Sequence, residues 1–119
     1  MKTELKFIET KNEKFPLAYT LNVMEAIQTE YGTLDEWANL IEPKEGGEPN
    51  LKALLFFFKE AINEGIEIEN ETSDKPRELI TNKKAGRIIS EIGFEQAGNK
   101  LKELTIDMTS GDDSETEKN

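Results

Sequence analysis

LKALLFFFKEAINEGIEIENE, residues 51–71, opens as one of the most apolar blocks in the chain and closes as one of the most acidic. Leu51, Leu54, Leu55, Phe58 and Ile62 recur at helical spacing, so the stretch reads as an amphipathic helix with these residues facing a core. Asn50 is a good cap before it and Gly65 reads as its stop, which places the helix from Leu51 to about Glu64. Successive helical residues turn by about 100°, so Phe56, Phe57 and Phe58 cannot share one narrow face. Phe58 lies on the stripe, Phe57 and Ala61 lie just beside it, and Phe56 points roughly 160° away from Phe58. Two readings follow. Either neighbours cover the helix on two sides and bury all three rings, or it keeps a second apolar surface for another chain. On the second reading Phe56 and Phe57 are the candidate protein-binding residues, for a client or a second copy. An intermediate arrangement has a mobile loop covering that surface until a partner displaces it.

Outward from this helix, the pattern predicts a mainly α (α+β) domain with an N-terminal β-hairpin followed by about four to five helices. Residues 4–10 alternate, KNEK makes a polar turn, and residues 14–19 resume, which reads as two antiparallel strands. Pro16 cannot donate to a ladder and belongs at an edge or at a strand's start. Val23, Met24, Ile27 and Tyr31 fall at helical spacing between Thr20 and Gly32. In TLDE, Thr33 and Glu36 form a capping box for a short helix whose apolar face is Leu34, Trp37, Ala38 and Ile41, ending before Pro43. The segment IEIENETSDKPRE reads as an acidic, poorly ordered connection that opens with a short strand at most. Thr81 caps the next helix, with Ala85, Ile88, Ile89 and Ile92 on one face. Gly93 sits in the left-handed cap position, with Phe94 placed to contact Ile89. A last helix from about Glu95 carries Ala97, Leu101, Leu104 and Met108 on one face. TSGDDSETEKN, residues 109–119, has no apolar residue and reads as a disordered acidic tail. The expected organisation is one domain over residues 1–108 with that tail.

Composition narrows the functions. The chain of 119 residues has no cysteine and no histidine, which removes disulfides, thiolate metal sites, the commonest general base and the usual nucleophilic triads. Its 25 acidic and 15 basic residues leave a net charge of −10, which repels phosphate backbones and anionic lipid, so neither nucleic acid nor membrane is an expected partner. No run approaches the 18 or so apolar residues of a membrane span, and the N-terminus has no signal-peptide core. A cytoplasmic location is expected, with no cofactor, no metal and no enzymatic activity. Glu67, Glu69 and Glu71 would share one side of a strand and gather a hard cation there, but a solvated edge beside a helix end is the preferred reading. No glycine-rich turn leads into Lys-Ser or Lys-Thr, so a phosphate-cradling loop is absent. The basic cluster Lys83, Lys84 and Arg87 reads first as surface solvation and second as a dock for an acidic partner.

The chain resembles the tail assembly chaperones of long-tailed phages and prophages of Gram-positive bacteria. The resemblance lies in FPLAYTLNVMEAIQTEYGTLDEW (15–37), LKALLFFFKEAINEGIEIENE (51–71) and LITNKKAGRIISEIG (79–93), and spans most of residues 4–104. It implies a small, acidic, mainly helical protein of the host bacterial cytoplasm that coats the long, aggregation-prone tape measure protein while tail tube protein polymerises around it. It also implies a programmed frameshift near the end of the reading frame, for which the acidic tail would suit as a junction. No ATP motif is present, so release would be passive. A different class, an acidic phage-encoded inhibitor or nucleic-acid mimic, would display ordered carboxylate pairs on a rigid face. Here the acids gather in loops and in the tail.

Overall fold

The computed structural model describes the backbone of residues 5–117 and the side chains of residues 5–106. It contains strands β1 (Lys6–Glu9) and β2 (Lys14–Leu17), then helices α1 (Leu21–Tyr31), α2 (Leu34–Ile41), α3 (Leu51–Asn70), α4 (Asn82–Ile92) and α5 (Phe94–Glu117). This is the expected hairpin-then-helices arrangement. The strands pair antiparallel with Lys6 opposite Leu17 and Phe7 opposite Pro16, and Pro16 is tolerated because each strand of a two-stranded sheet has a free edge. The expected tail, 109–119, lies outside the residues whose side chains are described. No helix among the described residues is long and apolar enough to cross a membrane.

Local chemistry sets the helix starts. Thr20, Thr33, Asn50 and Thr81 each accept a backbone N–H of the first turn that follows, satisfying donors that the helix itself leaves unpaired. The capping box is complete: the Thr33 hydroxyl accepts from the Glu36 N–H at 3.0 Å and the Glu36 carboxylate from the Thr33 N–H at 2.8 Å. Gly93 has φ +91°, and its N–H closes α4 on the Ile89 carbonyl at 2.8 Å while its own carbonyl accepts the Ala97 N–H of α5. One residue thus turns the chain between two helices, a conformation glycine adopts without a Cβ penalty.

Helix α3 is the centre of the fold, and it is longer than expected. It runs straight through Gly65 to Asn70. Its buried residues form two neighbouring rows at four-residue spacing: Ala53, Phe57, Ala61 and Gly65 in one, Leu54, Phe58, Ile62 and Ile66 in the other. The first row is mostly small residues, which do not stand out in a pattern of large apolar side chains at helical spacing. Ala61 and Gly65 let β2 lie directly on the helix. The Ala18 N–H donates to the Ala61 carbonyl at 3.0 Å, and a Cβ on Gly65 would come within 2.7 Å of the Pro16 carbonyl carbon. Gly65 is therefore a close-approach residue and not a helix stop. Ile8, Phe15 and Leu17 of the hairpin, Val23 and Ile27 of α1, Trp37 of α2, Ile88 and Ile89 of α4, and Ala97 and Leu104 of α5 complete the core.

The connection 71–81 also differs from expectation. Two asparagines seven residues apart on α3 hold it by paired side-chain hydrogen bonds. Asn63 donates to the Ile80 carbonyl at 3.1 Å and accepts the Ile80 N–H at 2.7 Å. Asn70 does the same with Arg77, at 3.0 and 2.9 Å. Two helical turns separate the clamps, so the loop is laid along α3 by its own backbone polar groups.

Candidate protein-binding groove

The three phenylalanines occupy different environments. Phe57 and Phe58 are fully buried, with ring centroids 5.2 Å apart and edge-on. Phe57 also meets Trp37 at 5.3 Å and Tyr19 at 5.7 Å. Phe57 is therefore a core ring and not the partner-binding ring beside the core that its position in the sequence suggests. The hairpin packs on its row of α3 and leaves the ring no surface to offer. Phe56 is half-buried, edge-on to Tyr31 at 5.4 Å with the Lys59 ammonium 5.4 Å from its ring. Its outer side is thus partly covered by α1 and by a lysine stem.

An apolar concavity lies on the other side of α3. Leu51, Leu54 and Leu55 form one wall, Lys83, Gly86, Arg87, Ile89 and Ser90 of α4 the other, and Gly93 and Phe94 close one end around a volume of about 490 Å³. Leu54 and Ile89 are almost completely enclosed at its floor. At its mouth Leu51 and Phe94 are 52% and 62% exposed, and exposure of that order on large apolar side chains leaves transfer free energy uncollected. The expected Schellman contact would have tucked Phe94 onto Ile89. Phe94 begins α5 instead and stays in the open. Gly86 keeps the groove open: its absent Cβ would sit 3.6 Å from Leu55 Cδ1, in ordinary contact, and anything larger would fill the space.

Helix α4 splits the basic cluster into two roles. Lys84 turns toward the hairpin, 3.2 Å from the Glu13 carboxylate and 5.6 Å from the Phe15 ring. Arg77 joins it there, bonding the Lys14 carbonyl at 2.9 Å and stacking 5.0 Å from the same ring. Lys83 and Arg87, one turn apart, stand on the groove instead and are exposed. The pairing of Leu51 with Phe94, and of both with Lys83 and Arg87, depends on the α3–α4–α5 packing. In the sequence Leu51 reads as part of the core-facing stripe, and no local pattern marks it as exposed.

A second concavity of about 290 Å³, between α1, α3 and the 71–81 loop, is polar, with Glu60, Asn63, Glu64 and Glu67 on its wall. Its groups are largely engaged: Glu64 accepts from the Thr20 hydroxyl at 2.7 Å and from Asn22 at 3.1 Å. Glu67 and Glu69 are helical and Glu71 caps the helix, so the three carboxylates do not line up as they would on a strand. Among the described residues no group of three or more acidic side chains is placed to hold a metal. No family model matches this chain, and neither does any curated protein or solved structure.

Proposed function

We propose that this chain is a tail assembly chaperone that holds the apolar helices of a tape measure protein until tail tube subunits replace it. The observation that carries the reading is the open groove between α3 and α4 on a chain of net charge −10. A holder of apolar helices needs apolar surface for the client and charge to keep the complex dissolved. The groove offers the first in the form used by helix-in-groove recognition, with anchors at Leu51, Leu55 and Phe94. The resemblance of residues 15–37, 51–71 and 79–93 to such chaperones supports the same reading. No nucleotide-driven step is needed for release, because tube subunits displace the chaperone by binding the client more strongly. The groove takes over the role that the sequence assigned to Phe56 and Phe57.

Coexpression tests this with overlapping fragments of the long helical protein that the proposal places just downstream in the genome. Wild-type chain should raise the soluble fraction of at least one fragment. Leu51→Ser combined with Phe94→Ser should abolish the effect while leaving the melting temperature nearly unchanged, since both side chains are already exposed. Fragments that stay insoluble with the wild type, or a genome with no such neighbour, would overturn the proposal.

A further inference from the structure

We infer that the α3–α4 groove selects an apolar helix flanked by carboxylates, and that Lys83 and Arg87 read those carboxylates. The inference rests on the groove being the client-binding face and adds the chemistry of the segment it accepts.

The observation is a pair of unspent cations in an acidic protein. Lys84 and Arg77 lie against Glu13, Lys59 against Glu60, Lys100 against Glu103 and Lys102 against Glu42. The side chains of Lys83 and Arg87 make no hydrogen bond or ion pair among the described residues; those of Lys44, Lys52 and Lys75 are likewise unpaired there, but they do not line the groove. Lys83 and Arg87 are like charges one helical turn apart, an arrangement that destabilises a helix slightly. Lys83 also lies in the first turn of α4, where no acidic residue is present and where the helix dipole disfavours a cation. No carboxylate among the described residues lies within ion-pairing distance of either. Both line the apolar groove. A partner helix that lowers leucine-like side chains between Leu54, Leu55 and Ile89 would bring its flanking residues over Lys83 and Arg87. Carboxylates four residues apart, about 6 Å along such a helix, match the spacing of the two cations.

The whole-chain charge and the groove make opposite demands, and that separates them. A net charge of −10 favours a basic ligand at long range, whereas the groove favours an acidic one at contact. At about 0.15 M salt the screening length is about 8 Å, short against a molecule 43 Å by 40 Å by 26 Å, so the local pair decides.

The experiment uses two synthetic 18-residue amphipathic peptides with the same leucine face, one with Glu and one with Lys at paired flanking positions four apart. Their binding to the full chain is followed by fluorescence anisotropy in about 0.15 M and about 0.5 M salt. The wild type should bind the Glu peptide about tenfold more tightly, from two attractions gained and two repulsions avoided at exposed sites. Lys83→Glu with Arg87→Glu should reverse the preference without loss of helical circular dichroism, and high salt should erase it in both proteins. Equal affinities, or a Lys-peptide preference in the wild type, would overturn the charge rule. If Gly86→Leu then abolishes binding of both peptides, the groove survives as the binding face. Absence of binding by either peptide would sink the groove reading and this inference together. A dimer seen in sedimentation that the double charge reversal dissociates would assign the groove to a second copy and also overturn the inference.

Discussion

Gly65→Ala is the sharpest probe of how this fold is assembled. In an isolated helix the change is favourable by about 1 kcal/mol, because alanine is the better helix former. Here the new methyl group would lie 2.7 Å from the Pro16 carbonyl carbon, 2.8 Å from its oxygen and 2.9 Å from the Leu17 nitrogen. These are backbone atoms of β2, so no rotamer change relieves the overlap, and the strand must retreat by several tenths of an ångström. Retreat stretches the Ala18–Ala61 hydrogen bond one turn away and lifts Phe15 and Leu17 from the helix, where both are buried. Overpacking of this kind costs about 1–3 kcal/mol, and a lost backbone hydrogen bond about 1 kcal/mol more. Against the propensity gain, the net loss should be about 1–3 kcal/mol, or roughly 4 °C of melting temperature per kcal/mol for a domain of this size. Gly86→Ala is the internal control. It is also helical, but its methyl group would meet only Leu55 Cδ1 at 3.6 Å, so it should be neutral or stabilising by up to about 1 kcal/mol. Urea unfolding followed by circular dichroism and Trp37 fluorescence measures both. Gly65→Ala at or above wild-type stability would show that β2 does not rest on α3 at this point, and the account of the core would fail there.

The rings offer a second test: Phe57→Ala and Phe58→Ala should each cost about 3–5 kcal/mol, and half-buried Phe56→Ala clearly less, as read by the urea midpoint. Asn63→Ala should cost about 1–3 kcal/mol, because it strands the Ile80 N–H and carbonyl. It should also speed amide hydrogen exchange at Ile80, and unchanged exchange would remove the clamp from the account. Burial raises the pKa of Tyr19, and burial followed by the nearby Glu30 carboxylate raises that of Tyr31. The folded state therefore holds these phenolic protons more tightly than the unfolded chain, so stability is complete below about pH 10 and falls as pH rises beyond it. Ultraviolet titration alongside thermal melts should show tyrosine ionisation and loss of stability together, and titration of both tyrosines at or below pH 10 in the folded chain would contradict the burial.

What the sequence determined by itself was mostly local. Alternation and turn residues placed the hairpin, and Thr33 with Glu36 announced α2 because a capping box is complete within four residues. Asn50 and Thr81 likewise placed the starts of α3 and α4. Ile88 and Ile89 were legible as core because helical spacing and size agree. The tertiary structure decided whatever depended on a distant neighbour. Gly65 looks like a stop to a rule about isolated helices, yet the helix continues because β2 needs its missing side chain. Phe57 looked peripheral because its row on α3 is otherwise Ala53, Ala61 and Gly65, and small residues become a buried face only when a strand lies against them. Asn63 and Asn70 carry no local sign that they will clamp a loop. The same holds for the groove. Leu51, Phe94, Lys83 and Arg87 are separated by up to 43 residues, and only the packing of α3, α4 and α5 makes them one surface. Caps and periodicities are settled by bonds within a turn or two of chain, whereas close approach and surface composition are settled by which elements meet.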